Sequence, residues 1–491
     1  MMANILRTKL IALIGGLVFV TPLLSLGLVV GQQVESVENR AYAHVEFLTN
    51  IAPRFAGTEA EAIAASYIEN EFKSYGLETW IESFTIENSY VVEEKRLRVV
   101  SPENFDLSFI PAVYSPSTDK VVSGQLLRVV EEVENFERLR GRVVLVSRKD
   151  LTRAIADLPP LAVLTYQENW PPYSEIWADP PKAPLLWISD LDAQHLIELL
   201  EQGETEIEIQ LKAKSENALS YNTLALLRGQ SEEIIVVSAH HDALLTSGAV
   251  DDASGVAVVL EVARTLSKEN LPRTILFATF GSEELGLFGS EAFVREHADN
   301  KIVAAISFDV IAPGPENGLR VGLRNSWELA TTEWLDEYVQ EIAENLNFYV
   351  QSEHIHSVGG YSDYASFTRA GIPGTWVYWV NPQHGEILWP THTLADNIDA
   401  VDKTKMGQVT LFGVELVREL AGKDIEALRQ AHELPISLAA FVLASTGAVV
   451  LSIAMGSFMR YRRGWSWSRV VCLFSLLTAA VVAATYLWLL A

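Results

Sequence analysis

Five residues with metal-ligand side chains recur along one stretch of the chain: His240, Asp251, Glu284, Asp309 and His392. They sit in Ala239-His240-His241-Asp242, Val250-Asp251-Asp252-Ala253-Ser254-Gly255, Gly281-Ser282-Glu283-Glu284-Leu285-Gly286, Ser307-Phe308-Asp309 and Thr391-His392-Thr393, and each is expected at the end of an apolar, strand-like run. Two imidazoles and three carboxylates suit a borderline-hard divalent ion such as Zn²⁺, and one shared carboxylate can hold two such ions roughly 3.5 to 4 Å apart. An isolated Glu-Glu or Asp-Asp pair is usually a solvated turn. The five donors in this order instead predict a two-zinc centre and hydrolytic chemistry.

Such donors need a frame. Apolar runs of two kinds alternate at 234–239, 253–266, 274–280, 290–297, 302–311 and 375–380. Alternation of this sort predicts a mixed, mostly parallel α/β sheet flanked by helices. The strand-like runs are nearly continuous in apolar residues, as expected where both faces are buried, and open sheets of this class place their sites beyond the carboxyl ends of the strands. Between 91 and 214 the pattern changes to short β-rich pieces without ligand clusters, for example Val143-Val144-Leu145-Val146 and Leu185-Leu186-Trp187-Ile188, which predicts an inserted domain. The expected organisation is an amino-terminal part of the catalytic domain at 34–90, the insertion at 91–214 and the main catalytic part at 215–430.

The chain has 491 residues, more than one core usually holds, and three uncharged apolar stretches at 10–31, 434–457 and 470–490 are each long enough to cross a bilayer as a helix. Arg7 and Lys9 precede the first, and the loop 458–469 carries Arg460, Arg462, Arg463 and Arg469 together with Trp465 and Trp467. Positive residues stay on the cytoplasmic side, so the expectation is an integral membrane protein, of the plasma membrane, with the catalytic part on the extracytoplasmic face. The formal net charge of −26 disfavours nucleic acid as a partner. Cys472, the one cysteine, falls in the last apolar stretch, so the exported part is expected to use no disulfide. Oligomeric state is not legible.

Across 54–422 the chain resembles the M28 family of zinc peptidases, on the His-x-Asp, Asp-Asp-Ala-Ser-Gly and Glu-Glu segments quoted above. The insertion is more loosely similar to the protease-associated domain of such enzymes. The resemblance implies two zinc ions held by His240, Asp251, Glu284, Asp309 and His392, with Asp251 rather than Asp252 bridging them. It implies that Glu283 is the general base and that Asp242 orients His240; Asp396 is a further candidate to support the ligands. His241 is expected to be structural or pocket-lining, Asp363 to sit beside the cleft or cap a helix, and Trp376, Tyr378 and Trp379 to be strand core. His354, His356 and His384 are expected to be exposed loop residues. Val250, Val310 and Thr391 depart from the residues common in the family at those positions, which bears on pocket shape and not on the ligand set.

The implied activity is removal of amino-terminal residues from peptides. Carboxypeptidase or dipeptidase action, a single-zinc glutaminyl cyclase and a non-catalytic ectodomain that binds partner proteins are the alternatives. A carboxypeptidase needs cations for the substrate carboxylate, and no arginine-rich segment accompanies the ligands. A binding ectodomain would have no reason to retain all five ligands and Glu283.

Overall fold

Segments such as Ile235-Val236-Val237 and Ile275-Leu276-Phe277 carry no polar side chain, so they are stable only where both faces of a strand are covered. The computed structural model shows that arrangement. It describes residues 36–431 apart from 119, 131–135, 158–159, 178, 315–317, 324–329, 347, 349, 351–359 and 381–388. The three predicted membrane spans, Cys472, His354, His356 and His384 lie outside the described residues. Among the described residues no helix is long and apolar enough to cross a membrane.

In chain order the strands are β1 (Glu78–Ser101), β2 (Phe105–Asp106), β3 (Phe109–Pro111), β4 (Val122–Val129), β5 (Val143–Ser147), β6 (Ala162–Tyr166), β7 (Leu185–Ile188), β8 (Glu206–Leu227), β9 (Ser231–His240), β10 (Arg273–Phe280), β11 (Ile302–Phe308), β12 (Gly318–Val321) and β13 (Gly374–Val380). The helices are α1 (Val37–Asn50), α2 (Glu59–Ser74), α3 (Arg153–Asp157), α4 (Asp190–Gln202), α5 (Ser254–Leu266), α6 (Phe288–Glu296), α7 (Glu333–Asn345), α8 (Tyr364–Arg369) and α9 (Lys403–Gly422). The runs expected from apolar alternation thus fall on β9, α5, β10, α6, β11 and β13.

The centre of the sheet is four parallel strands in the order β13-β11-β9-β10, with β12 antiparallel on one side and β8 on the other. Alternate residues serve opposite faces. Ile235, Val237, Ile275, Phe277, Ala304 and Ile306 pack against α1, α2, α5, α7 and α9, whereas Val236, Leu276, Ala278 and Ala305 pack with Phe293 of α6 and Phe367 of α8. Each fully buried aliphatic or aromatic side chain contributes about 1.5–3 kcal/mol, which explains why charge is excluded from these runs. The chain leaves β9 for β10 on one side and then returns to β11 on the other, so the carboxyl ends of β9 and β11 flank a point where winding reverses. Such a point opens a crevice in sheets of this class.

Two long strands carry the insertion. The first half of β1 pairs with the second half of β8 inside the catalytic part, and the remaining halves run on into the insertion past a register shift between Ile86 and Ser89. The insertion is rich in strands and carries helices as well. β4, β5, β6 and β7 are parallel neighbours, β3 lies antiparallel to β7, and α3 and α4 accompany them. The reason is legible in hindsight: β6 and β7 are buried along their whole length, as strands covered on both faces must be.

Candidate metal centre

His240 closes β9, Glu283 and Glu284 follow β10, and Asp309 follows β11, so three neighbouring strand ends deliver four of the predicted site residues to one place. The other two ligands depart from expectation. Asp251 lies in an irregular turn, Ala249–Ala253, just before α5, and His392 lies in a loop well past the end of β13. Neither ends a strand.

The turn that carries Asp251 is held from three sides. Asp396 accepts the backbone N–H groups of Val250 at 2.6 Å and Asp251 at 3.2 Å. Asp252 points the other way and accepts from His240 N at 3.1 Å and Gly255 N at 2.8 Å, so it serves the backbone and is unavailable as a ligand on the Asp251 side. A Cβ on Gly255 would come within 2.2 Å of the Phe308 carbonyl oxygen, so only glycine lets α5 begin against the end of β11. Third, Arg54, fully buried, donates to the carbonyl oxygens of His241 (2.9 Å), Ser247 (2.9 Å), Gly248 (2.8 Å) and Leu48 (2.9 Å). Burial lowers its pKa to about 10, and the carboxylates of Asp396, Asp242, Asp252 and Asp251 oppose that fall, so it stays cationic at neutral pH. Arg54 is the residue that sequence reasoning missed; its only trace was its place in Arg54-Phe55-Ala56-Gly57-Thr58. Arg54→Met, which keeps length and loses all four donors, is expected to destabilise the protein by about 3–5 kcal/mol, read from denaturant unfolding.

The ligand atoms converge in two groups: His240, Asp251 and Asp309, and Asp251, Glu284 and His392, with the donor atoms of each group within 4.8 Å of one another. Asp251 belongs to both. His240 Nε2 is 3.0 Å from Asp251 Oδ1 and 3.5 Å from Asp309 Oδ1, while His392 Nε2 is 3.2 Å from Asp251 Oδ2 and 2.9 Å from Glu284 Oε2. The two oxygens of Asp251 therefore face different imidazoles. Asp242 turns one oxygen toward His240 Nδ1 at 3.5 Å, longer than the hydrogen bond expected, and accepts from Glu283 N at 3.1 Å and Glu284 N at 3.2 Å. It thereby anchors the backbone of both glutamates beside the imidazole.

The residues fit a pair of divalent cations. Asp309 Oδ1 is buried without a hydrogen-bond partner, and five acidic groups, Asp251, Glu283, Glu284, Asp309 and Asp363, crowd one small volume. Burial would push Asp251 up, but its hydrogen bonds to His240 and His392 outweigh that and hold it below the ordinary carboxylate range. Burial lowers His240 and His392, yet the surrounding carboxylates more than reverse this and raise both imidazoles well above their ordinary value. With the cations themselves in place the imidazoles would instead be neutral donors, as ligands must be.

Glu283 is buried next to both groups without belonging to either. Burial pushes its carboxyl well above the usual range; His240 opposes this, and Asp309, Asp363 and Glu284 add to it. Asp363 does not cap α8: its side chain makes no capping bond, neither oxygen has a hydrogen-bond partner, and burial raises its pKa to about 7. His241 is fully buried behind the site beside Glu61 and does not line the cleft. Trp376, Tyr378 and Trp379 are strand core, with Trp376 and Tyr378 stacked at 3.8 Å.

Non-glycine residues with positive φ cluster here: Ser282 (58°) adjoins Glu283, Val310 (58°) adjoins Asp309, and His392 (59°) is itself a candidate ligand. Such conformations persist only where surrounding contacts impose them, and they concentrate at functional sites. The site opens into a cleft of about 500 Å³ lined on one side by Asp251, Glu283, Glu284, Asp309 and His392 and on the other by Arg148, Trp170, Tyr173, Glu175 and Trp187 of the insertion. This second wall had no forewarning beyond the aromatic and proline-rich segment Trp170-Pro171-Pro172-Tyr173.

A mixed α/β sheet with an acid-and-imidazole cluster at its carboxyl edge presents a candidate site for divalent metal. Residues 222–417, which hold all five ligand-type residues, match the model of peptidase family M28, and the chain is a hydrolytic enzyme. Among curated proteins it is 26% identical over 413 residues to aminopeptidase YwaD of Bacillus subtilis, covering 78% of this chain and 85% of that one. It is 30% identical over 225 residues to leucine aminopeptidase 1 of Ajellomyces dermatitidis, a match that spans 42% of this chain and 57% of the fungal one. In fold it is similar to BSAP, a zinc aminopeptidase from Bacillus subtilis, with a TM-score of 0.62, 24% identity and coverage of 80% and 97% of the two chains. A peptidase M28 precursor from Shewanella amazonensis gives a TM-score of 0.63 at 19% identity, covering 78% and 93%.

Proposed function

We propose that this chain is a two-zinc aminopeptidase that removes amino-terminal residues from peptides. The observation that carries the reading is the pair of three-residue groups sharing Asp251 at the floor of a cleft. Catalytic zinc sites keep three protein ligands and an open position, and each group offers three. When bound, the two ions would polarise the scissile carbonyl and bring the pKa of a water at the site from about 16 toward 7. Glu283, near the ligands but not among them, takes that water's proton and returns it to the departing amine. Asp242, which faces His240 Nδ1 at 3.5 Å, would favour the tautomer whose Nε2 is free to ligate once the two close to hydrogen-bond distance, and Asp396, through two backbone N–H groups, holds Asp251 in its shared position.

The aminopeptidase direction is supported by relatives that bear that name and by the acidic floor of the cleft, which suits a substrate ammonium. Arg148 is the one arginine or lysine among the described residues that line the cleft, and it faces Glu175 at 3.5 Å, so this lining does not offer the converging arginines or lysines that a free carboxylate would want. Membrane attachment through 10–31, 434–457 and 470–490, with the catalytic part on the extracytoplasmic side, is part of the proposal and rests on hydropathy and charge alone. The division into insertion and catalytic parts at 91 and 214 is supported by separate apolar clusters, one built around Val143, Leu164 and Ile188 and another around β9 to β11.

The test is metal content together with hydrolysis of aminoacyl p-nitroanilides by the full chain, before and after chelation and after zinc is restored. Two zinc ions and chelator-sensitive release of amino-terminal residues are expected. An inert chain that binds no zinc would leave a non-catalytic ectodomain as the better reading.

A further inference from the structure

We propose that the insertion is a working part of the metal centre: its segment Pro172-Tyr173-Ser174 clasps the loop that carries His392, and Tyr173 is a positioning residue for that ligand. The inference rests on the two-zinc reading above. His392 reaches the site from a loop, not from a strand end, and its φ of 59° is one that a side-chain-bearing residue rarely adopts unless held. Thr393 ties the loop locally to Pro390 and Asp396, and the contacts that reach it from another part of the chain on its cleft side come from the insertion. Ser174 N donates to the His392 carbonyl oxygen at 2.6 Å, Leu394 N donates to the Pro172 carbonyl oxygen at 3.1 Å, and Tyr173 pairs with Thr393 as an isolated antiparallel bridge. Two backbone bonds therefore bracket the ligand, one at His392 itself and one two residues on.

The side chain completes the clasp. The Tyr173 ring lies 6.0 Å from the imidazole of His392, centroid to centroid, and is itself wedged edge-to-face against Trp187 at 5.4 Å and Trp170 at 6.0 Å. Trp187 is buried in β7 and donates its indole N–H to Glu175 at 3.0 Å, so the wedge stands on the insertion's own core. His240, Glu284 and Asp309, by contrast, stand at strand ends inside the catalytic sheet. The geometry therefore divides the centre: the group of His240, Asp251 and Asp309 is built wholly by the catalytic part, whereas the group of Asp251, Glu284 and His392 is built in part by the insertion. A loop ligand freed from its clasp costs order when it binds, and the affinity of its own site falls while the other is spared.

Zinc titration of the metal-stripped full chain tests this, with Tyr173→Ala, the volume-keeping Tyr173→Leu and the ring-keeping Tyr173→Phe, each checked by thermal unfolding without metal. The wild type is expected to take up two ions. Tyr173→Ala and Tyr173→Leu should bind one ion as the wild type does and the second at least about tenfold more weakly, with Tyr173→Phe restoring it. Two ions bound at wild-type affinity in both ring-less variants would overturn the clasp and leave the zinc-peptidase reading intact. A wild type that binds no zinc would overturn both. Should Tyr173→Ala fail to fold, the comparison of Tyr173→Leu with Tyr173→Phe decides alone.

Discussion

Glu283→Gln is expected to lower kcat by about 10²–10⁴-fold while both zinc ions remain bound, because a positioned general base contributes on that scale and Glu283 belongs to neither ligand group. Glutamine keeps the shape and the backbone bond from Glu283 N to Asp242, so the strand end should not move. KM should change little, since the lost interaction acts on a proton in flight and not on the bound peptide. The substitution has an opposite signature in stability. Glu283 is buried among like charges that, with burial, push its carboxyl well above the usual range, so a neutral amide relieves a cost that the metal-free protein bears. Metal-stripped Glu283→Gln should therefore unfold at a temperature no lower than the metal-stripped wild type. Full activity with normal zinc content would sink the assignment of Glu283 as base.

The second large effect separates the shared ligand from an unshared one. Asp251→Ala is expected to lose both ions and at least about 10³-fold in kcat/KM, whereas His392→Ala should lose one ion and keep the other. The reason is geometric: Oδ1 of Asp251 faces His240 and Oδ2 faces His392, so one side chain completes both groups. Thermal unfolding supplies an independent readout. A ligand that binds only the folded chain adds about 2.7 kcal/mol at a hundredfold excess over its Kd, so zinc should raise the melting temperature of the wild type clearly, that of His392→Ala less, and that of Asp251→Ala hardly at all. Equal zinc content in the two variants would mean that Asp251 does not bridge.

The donors and the frame were both legible in the chain. Side-chain type is written residue by residue, and the apolar runs at β9, β10, β11 and β13 are short and rich in β-branched and aromatic residues, as strands buried on both faces are, so the candidate donors and the fold class followed from local pattern. That Asp251 and not Asp252 would join the cluster was expected only through resemblance, and Asp251 is the one that lies in both donor groups. Its physical reason is tertiary: Asp252 is occupied by His240 N and Gly255 N, and no local rule tells one aspartate of a pair from the other.

What only the folded structure decided is who stands beside whom. The reversal of winding between β10 and β11 sets His240 of β9 between the strand ends that carry Glu283 and Asp309, an adjacency fixed by strand order and not by spacing in the chain. Arg54 looked like an ordinary polar residue before a helix. Its burial against four carbonyl oxygens depends on where α1 and the turn after β9 come to rest. The insertion, likewise, showed no ligand-type cluster and gave no sign that it would close the cleft or hold His392. Its Tyr173 meets Thr393 across more than two hundred residues of chain, and a contact of that length is recorded nowhere in local composition, because it is made by packing whole elements against one another.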